Sequence, residues 1–213
     1  MSPTVTIIDY GIGNVYSVRR ALETSGATVL LTDDASRIEA STHVVLPGVG
    51  AFADGMAGLR ERGLVEPLLR YAASDRPLLG ICLGMQMLAT VSEEFGQHSG
   101  LGLVPGRVLA LVDQDIDGAP LKIPHTGWTA LHKPEGSDWR ATPLRETTDG
   151  ESVYLVHSFH VSPDETRDRL ADCTYGGQRV CAAIRRNRVY GFQFHPEKSG
   201  PVGLRMLREF LAC

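Results

Sequence analysis

Short apolar runs alternate with longer segments of helical spacing along the first 96 residues of the chain. The runs VTIID (5–9), TVLL (28–31), HVVL (43–46) and PLLGI (77–81) predict buried strands. Between and after them, apolar residues recur three and four positions apart and predict helices over 14–26, 52–73 and 85–94, the second with breaks near Gly63 and Pro67. Strands that alternate with helices are typical of a parallel sheet covered by helices.

The pattern changes after about Gly96, where Gly and Pro are frequent and short β-rich runs occur at 108–112, 152–156, 180–184 and 189–194. The last residues, 200–213, have the apolar stripe of a helix. The predicted fold class is therefore α/β, a mostly parallel central sheet covered by helices, with an antiparallel β-rich flank. No internal repeat or low-complexity linker divides the sequence, so we expect a single domain over residues 1–213.

Composition and charge narrow the class of protein only slightly. The 213 residues are 43% hydrophobic, enough for a sizeable core, and 21 Lys+Arg against 25 Asp+Glu leave a net charge of -4 with no long run of one sign. We therefore expect no nucleic-acid partner and no membrane partner. The first residues lack the features of a signal peptide and no segment approaches eighteen uninterrupted apolar residues, so a cytoplasmic location is expected.

Four cysteines show neither a Cys-x-x-Cys pair nor the density of a disulfide-stapled secreted domain, which favours a reducing compartment. Cys173 and Cys181 could face each other across a Gly-Gly turn, but burial as small apolar side chains is the preferred interpretation. The cysteine of most interest is Cys82, which lies in the pentapeptide GICLG (80–84).

If PLLGI is a strand and a helix follows it, Cys82 lies on a tight elbow, with glycines where larger side chains would clash. Its sulfur is then expected to stand exposed above the sheet, and the helix N-terminus favours the thiolate form. The turn also directs the backbone N–H of Leu83 toward whatever the sulfur attacks. The pentapeptide alone leaves a buried structural cysteine open as the alternative.

A base for this nucleophile is offered by the segment VYGFQFHPEKSG (189–200). Strand alternation places Gly191, Gln193 and His195 on one face, and an extended chain would bring Glu197 to the side of His195. Taken alone, the His-Pro-Glu segment could be an ordinary surface strand end. Combined with the cysteine elbow, it predicts a Cys82–His195–Glu197 relay.

A tetrahedral oxyanion forms during acyl transfer and requires positioned N–H donors. Leu83 would supply one donor, and the glycine-flanked stretch LPGVG (46–50) would supply the second from Val49 or Gly50. The histidines, including His157 and His160, show no recognisable metal-ligand spacing, so no metal and no cofactor are expected.

These residues resemble a known family. GICLGMQ together with FQFHPEKS is similar to the class I, triad-type glutamine amidotransferases. Three further stretches, IDYGIGNVYSV from Ile8, LPGVGAF from Leu46 and KIPHTGWTAL from Lys122, resemble the glutaminase subunits of imidazole glycerol phosphate synthase, an enzyme of histidine biosynthesis. The resemblance extends from Val5 to the final helix.

The resemblance implies that Cys82 is the nucleophile, that His195 is the general base and then acid, and that Glu197 orients His195. It implies substrate-binding roles for four residues: Gln86, His157, Ser158 and Phe159. The implied reaction hydrolyses glutamine to glutamate and ammonia. The ammonia would pass to a partner cyclase with a (β/α)₈ barrel, in a heterodimer that makes imidazole glycerol phosphate and AICAR.

Four positions depart from the family pattern: Ala89, Thr126, Thr129 and Phe159, where a larger apolar residue, Met, Asn and Tyr are common. Three alternatives also remain open: a stand-alone cysteine hydrolase acting on γ-glutamyl amides, the glutaminase subunit of another biosynthetic amidotransferase, and a non-catalytic regulatory relative. We further expect the loops IDYGIGN and PHTGW to contact the cyclase. The peptide at Val49 is expected to complete the oxyanion hole only when the partner is loaded.

Overall fold

The computed structural model describes residues 3–213, in which strands and helices alternate up to residue 87 and strands predominate from 89 to 192. The strands are Thr4–Ile8 (β1), Thr28–Thr32 (β2), His43–Gly48 (β3), Leu78–Cys82 (β4), Ala89–Ser92 (β5), His98–Ser99 (β6), Val104–Ala110 (β7), His125–Ala130 (β8), Ser152–His157 (β9), Phe159–Pro163 (β10), Arg169–Tyr175 (β11), Gln178–Arg186 (β12) and Val189–Phe192 (β13). The helices are Val15–Thr24 (α1), Ala35–Ala40 (α2), Phe52–Glu61 (α3), Val65–Ala73 (α4), Leu83–Met87 (α5) and Gly200–Leu211 (α6), with 3₁₀ turns at Thr166–Asp168 and Pro196–Lys198.

A seven-stranded sheet in the order β11-β12-β13-β4-β3-β1-β2 forms the centre of the protein. Its strands from β13 to β2 pair in parallel, and β12 and β11 extend it antiparallel at one end. A four-stranded sheet, β10-β7-β5-β6, and the hydrogen-bonded pair β8-β9 form the flank, in which antiparallel pairing prevails. The predicted fold class is confirmed.

Both faces of the inner strands β13, β4, β3 and β1 are buried almost throughout, which explains why these strands are mostly apolar. Alternate side chains of β3 point to opposite faces: Val45 packs with the core that includes α1 and α6, whereas Val44 and Leu46 pack with the core that includes α2, α3 and α4. Among the described residues no helix is both long and apolar enough to cross a membrane.

The predicted helix over 52–73 divides at Gly63 into α3 and α4, as expected. Pro67 does not break α4, because it lies in the first turn, where its missing N–H removes no intrahelical hydrogen bond.

The helix predicted over 85–94 is wrong, since α5 ends at Met87 and the chain continues as β5. The carbonyls of Met87, Leu88 and Ala89 accept N–H groups from residues 101, 104 and 102 instead of continuing a helix.

Strand β7 begins at Val104, earlier than the predicted run, and β13 ends at Phe192, two residues short of the predicted 194. Residues 193–195 therefore lie beyond the end of β13. The cysteines are all free, and Cys173 and Cys181 are buried, as expected for small apolar side chains.

Candidate active site

Three neighbouring parallel strands end at the same edge of the central sheet. Strand β4 ends at Cys82 and lies between β3, which ends at Gly48, and β13, which ends at Phe192. The ends of these strands and the segments that follow them carry the predicted nucleophile, the predicted oxyanion donors and the predicted base. The carboxyl edge of a parallel sheet is where open α/β folds bind their ligands.

Cys82 adopts a left-handed backbone conformation, with φ of 54° and ψ of −112°, at the junction of β4 and α5. A Cβ atom on Gly80 would lie 2.6 Å from the carbonyl oxygen of Gly84, and one on Gly84 would overlap the carbonyl oxygen of Leu46. Only glycine fits at both positions, so the strand can turn sharply into the helix. The geometry is that of the predicted nucleophile elbow.

The predicted exposure of the sulfur is wrong, because Cys82 is only 8% exposed. The loop at Val49 and Gly50, the turn at 157–159 and His195 surround it, and together they enclose a pocket of about 570 Å³. Cys82 therefore lies in the wall of a pocket, where fewer water molecules compete for the sulfur.

His195 and Glu197 form a buried pair, with Nδ1 of the imidazole 2.8 Å from Oε1 of the carboxylate. The prediction of an extended chain between them is wrong, because the chain forms the 3₁₀ turn Pro196–Lys198. Proline is suited to the first position of such a turn, because its φ is preset and its missing N–H would have no partner there. The tight turn, not strand alternation, brings the carboxylate to the ring.

Backbone and hydroxyl contacts hold this segment against β9. The N–H of His195 donates to the Tyr154 carbonyl (2.9 Å), the Ser199 hydroxyl donates to the His195 carbonyl (2.7 Å) and the Tyr154 N–H donates to the Ser199 hydroxyl (3.0 Å). Ser199 thus positions the base. Sequence reasoning missed it, because a serine four residues after a histidine carries no signal of this contact.

Burial by itself would lower the pKa of His195, but hydrogen bonds and charge from Cys82 and Glu197 outweigh it and raise the pKa to about 9. The imidazole is therefore protonated at neutral pH.

The residues predicted to bind the oxyanion line the same pocket as Cys82 and His195. Leu83 is the first residue of α5, so its N–H has no partner within the helix. Val49 is 40% exposed, and Gly50 has φ of +91° with open space around the position that a Cβ atom would occupy. The predicted substrate-binding residues Gln86, His157, Ser158 and Phe159 also line the pocket.

Sequence reasoning missed two further polar residues at the pocket. Among the described residues that line it, Glu94 carries the one carboxylate, and Oε2 of that carboxylate accepts the Phe52 N–H (2.7 Å) at the start of α3. Gln193 is fully buried, and its Nε2 lies 3.8 Å from the Cys82 sulfur. The wrong helix over 85–94 concealed the position of Glu94, whereas strand alternation had already placed Gln193 on the face of His195.

No cluster of three or more His, Cys, Asp or Glu side chains suited to a metal ion occurs in residues 3–213. The pocket brings together the Cys82 sulfur and the His195 imidazole, which the Glu197 carboxylate contacts from behind, and the unpaired N–H of Leu83 belongs to the same pocket wall. This arrangement suits nucleophilic attack on an amide carbonyl.

Comparison with known proteins agrees with this chemistry. The family described as Glutamine amidotransferase class-I matches residues 6–213. The chain therefore belongs to the class-I glutamine amidotransferase family.

Its relatives in that family include subunits of one particular enzyme. The chain is 48% identical over 209 residues to "Imidazole glycerol phosphate synthase subunit HisH 1" of Legionella pneumophila (strain Lens), with 98% of each chain covered. It is 47% identical over 208 residues to the HisH subunit of Syntrophotalea carbinolica, covering 97% of this chain and 98% of that one. The HisH subunit of Geobacter sulfurreducens is 44% identical over 207 residues, with 97% of each chain covered.

Solved structures show the same fold at much lower sequence identity. A chain in the structure of PurLQS from Thermotoga maritima superposes with a TM-score of 0.73 at 20% identity, covering 100% of this chain and 99% of that one. A chain described as glutamine amidotransferase superposes with a TM-score of 0.72 at 17% identity, covering 98% and 99%.

Proposed function

We propose that the chain is the glutaminase subunit of imidazole glycerol phosphate synthase. It would hydrolyse glutamine to glutamate and ammonia and deliver the ammonia to a cyclase subunit that makes imidazole glycerol phosphate and AICAR in histidine biosynthesis. The observation that carries the proposal is the cysteine elbow, in one pocket with an imidazole that a buried carboxylate holds at 2.8 Å. Identity to HisH subunits over nearly the whole chain supports the choice of enzyme.

In the first half of the proposed reaction, the Cys82 thiolate attacks the side-chain amide carbon of glutamine. The carbonyl electrons move to oxygen, which the N–H groups of Leu83 and of Val49 or Gly50 stabilise, each by about 10²–10³ in rate. His195 then gives its Nε2 proton to the amide nitrogen, and the C–N bond breaks with its electron pair on nitrogen. Ammonia leaves, and a γ-glutamyl thioester remains on Cys82.

In the second half, neutral His195 takes a proton from water while the water oxygen attacks the thioester carbon. The tetrahedral intermediate collapses, the C–S bond breaks with its electron pair on sulfur, and the new carboxyl group loses its proton to solvent as glutamate is released. The thiolate and the imidazolium are restored. Glu197 accepts the Nδ1–H of His195 in both halves and keeps the ring in the productive orientation.

The amino-acid end of glutamine carries an ammonium and a carboxylate, and the pocket offers groups for the ammonium. The carboxylate of Glu94 lies in the pocket wall and complements a positive charge. Gln86 uses Nε2 to contact the Phe159 carbonyl (3.0 Å) and Gln193 Oε1 (3.1 Å), so its oxygen remains as an acceptor for the substrate. We propose that both residues bind the ammonium group.

We propose that the second oxyanion donor is regulated. Gly48 is fixed in β3 opposite Cys82, whereas Val49 and Gly50 lie beyond the strand, and Gly50 has the positive φ that permits a peptide to rotate at little steric cost. Rotation of the peptide at Val49 would turn an N–H toward the sulfur. Docking of a loaded cyclase would favour that orientation and so limit wasteful release of ammonia.

The proposed cyclase contact includes two exposed aromatic side chains. Tyr16 and Trp128 are large side chains that are 74% and 60% exposed. They belong to IDYGIGNVYSV and KIPHTGWTAL. Both lie near Gly200, which shares a surface depression with Tyr16 and at which an added Cβ atom would lie 4.0 Å from the Trp128 ring. Exposed aromatic residues of this kind are common at the centre of protein interfaces. We propose a (β/α)₈-barrel cyclase as the partner.

The test measures glutamate release by the chain alone, with the cyclase subunit, and with the cyclase subunit and its nucleotide-derived substrate. We expect slow turnover of the isolated chain, at least about 10²-fold faster turnover in the loaded complex, and no turnover by Cys82→Ser. As a control, the Cys82→Ser complex supplied with an ammonium salt should still form imidazole glycerol phosphate. Fast turnover of the chain alone, unaltered by the cyclase, would instead indicate a stand-alone cysteine hydrolase.

A further inference from the structure

We propose that Gln193 is a further catalytic residue of the glutaminase, whose side-chain amide donates a hydrogen bond to the Cys82 sulfur. We further propose that a chain of hydrogen bonds from Thr129 through His125 and His157 holds the Phe159 carbonyl in place, and that this carbonyl orients Gln86 and, through it, Gln193. The kinetic part of this inference rests on the proposed function. The contact with the sulfur can be tested without it.

Gln193 is placed against the nucleophile by the backbone beyond β13. Its N–H donates to the Ala182 carbonyl (2.9 Å), and its side chain is fully buried, with Nε2 3.8 Å from the Cys82 sulfur. A buried amide group is costly unless its hydrogen-bonding atoms have partners. The sulfur is the partner of the Gln193 amide nitrogen.

The orientation of the Gln193 amide follows from its neighbours. The side chain of Gln86 touches the Phe159 carbonyl oxygen at 3.0 Å, and a carbonyl can only accept, so Gln86 must present its nitrogen there. The same nitrogen lies 3.1 Å from Gln193, which must therefore present its oxygen to Gln86. The Gln193 nitrogen is then the atom that faces Cys82, and the opposite assignment would place two donors in contact.

The Phe159 carbonyl also determines the tautomers of two histidines. Nδ1 of His157 lies 2.9 Å from that carbonyl oxygen and must carry a proton, which leaves Nε2 as the acceptor. Nε2 lies 3.3 Å from Nδ1 of His125, so His125 donates from Nδ1. Burial lowers the pKa of His157 to about 4 and also lowers the pKa of His125, so both rings are neutral at pH 7 and this pattern holds.

The chain begins at Thr129 on β8. Nε2 of His125 is unprotonated in this pattern and lies 3.0 Å from the Thr129 hydroxyl, which donates to it. Without that hydroxyl, His125 could move its proton to Nε2, and two lone pairs would then face each other between His125 and His157.

In this arrangement the Gln193 amide is a second hydrogen-bond donor to the Cys82 thiolate, besides the imidazolium of His195. Hydrogen bonds to the charged form of an acid favour that form. The other titratable groups near the sulfur are Tyr10 and the pocket residues Glu94 and His157. Burial and then the charge of Cys82 raise the pKa of Tyr10, whose hydroxyl donates to the Pro47 carbonyl (2.6 Å). None of these replaces the Gln193 amide as a donor to the sulfur.

The experiment follows alkylation of the Cys82 peptide by iodoacetamide against pH, together with glutaminase kinetics of the complex with the cyclase. For Gln193→Glu and Gln193→Met we expect the alkylation midpoint to rise by at least about one pH unit, equivalent to tenfold less thiolate. We expect kcat to fall about 10²-fold while KM changes less than about threefold. Gln178→Glu is the matched control, because it alters a similar amide, 3.3 Å from the Gln114 carbonyl and away from the pocket, and should change neither quantity.

The start of the chain is tested with Thr129→Val, which keeps the shape and removes the hydroxyl. We expect kcat to fall about three- to tenfold, the size of one net hydrogen bond, with Thr129→Ser restoring it. If both Gln193 variants fail to fold, the two Thr129 variants still test the proposal. Equal kcat values for Thr129→Val and Thr129→Ser would then overturn it.

The outcomes separate the two proposals. Unchanged midpoint and kcat in both folded Gln193 variants would overturn the role of Gln193. A shifted midpoint in a protein that shows no glutaminase activity, even with the cyclase, would leave the sulfur contact intact and reject only the proposed function.

Discussion

At the scale of single residues, Cys82 stores backbone strain where the chemistry takes place. A left-handed conformation costs a residue with a side chain about 1–3 kcal/mol and persists only where surrounding structure enforces it. Here β4 and α5 enforce it on Cys82, which has φ of 54°. This conformation places Cys82 in the pocket wall beside Leu83, the first residue of α5.

The His195–Glu197 pair should make stability depend on pH in a defined direction. The pKa of His195 is about 9 in the folded chain against 6.5 for the free side chain, so the folded state holds the proton more tightly. The resulting stability is fully present below pH 6.5 and is lost as the pH rises through about 9.

Glu197→Gln removes the carboxylate that contributes to this shift. We expect the stability advantage of the wild type over the variant, measured by urea unfolding, to be greatest near pH 6.5 and to disappear above about pH 9. Glu39→Gln is the control, because it removes a half-exposed carboxylate paired with Arg70 and no histidine. An advantage that does not decrease with pH would show that the carboxylate does not hold the proton of His195.

At the scale of the elements, the elbow depends on how closely α5 approaches β3. The backbone of Gly84 lies against the carbonyl of Leu46, and no side chain fits between them. This contact places the start of α5 beside the end of β3, so Leu83 and the loop at Val49 and Gly50 line the same pocket.

Gly84→Ala should therefore disrupt the elbow itself. The added methyl group meets backbone that cannot rotate away, so we expect at least about 3 kcal/mol of lost stability and loss of glutaminase activity. Gly63→Ala is the control: its φ is +64° but no atom lies near the added Cβ, so only about 1 kcal/mol of backbone strain is expected. Chemical denaturation compares the two, and equal losses would contradict the steric argument.

At the scale of the whole molecule, the flank closes the active site. Strands β9 and β10 carry the turn at 157–159 to the carboxyl edge of the central sheet, and residues near β5 bring Glu94 there from the other side. Burial lowers the pKa of three histidines in this part of the protein, His125, His157 and His160. The flank thus encloses neutral imidazoles, which only the unfolded chain protonates readily.

This enclosure predicts acid sensitivity. The pKa of His157 falls from 6.5 to about 4 on folding, so between these values the unfolded state binds more protons and stability decreases as the pH falls. We expect His157→Gln to reduce the stability lost between about pH 6.5 and pH 5 by up to about 2 kcal/mol, measured by urea unfolding. The control is His132→Gln, at an exposed position, which should lose as much stability as the wild type over the same pH range. If His157→Gln also loses as much as the wild type, the prediction is contradicted.

The sequence was enough to predict the strands of the first half, the division of the 52–73 segment at Gly63 and the family itself. The segment 88–94 was not, because Met85, Met87 and Leu88 have helical spacing, and only the pairing of β5 with β7 decides that the chain extends. The single domain and the cytoplasmic location stay predictions, as do the roles assigned to the site residues.

The sequence by itself determined what short-range geometry and periodicity control. The glycines around Cys82 require a sharp turn, the apolar runs require burial, and the proline after His195 requires a change of direction. Tertiary structure alone decided which distant groups complete the site: Glu94 reaches the Phe52 N–H across 42 positions, and Gln193 reaches Cys82 across 111. Such contacts depend on how sheets and turns pack in space, and no local pattern of side chains encodes that packing.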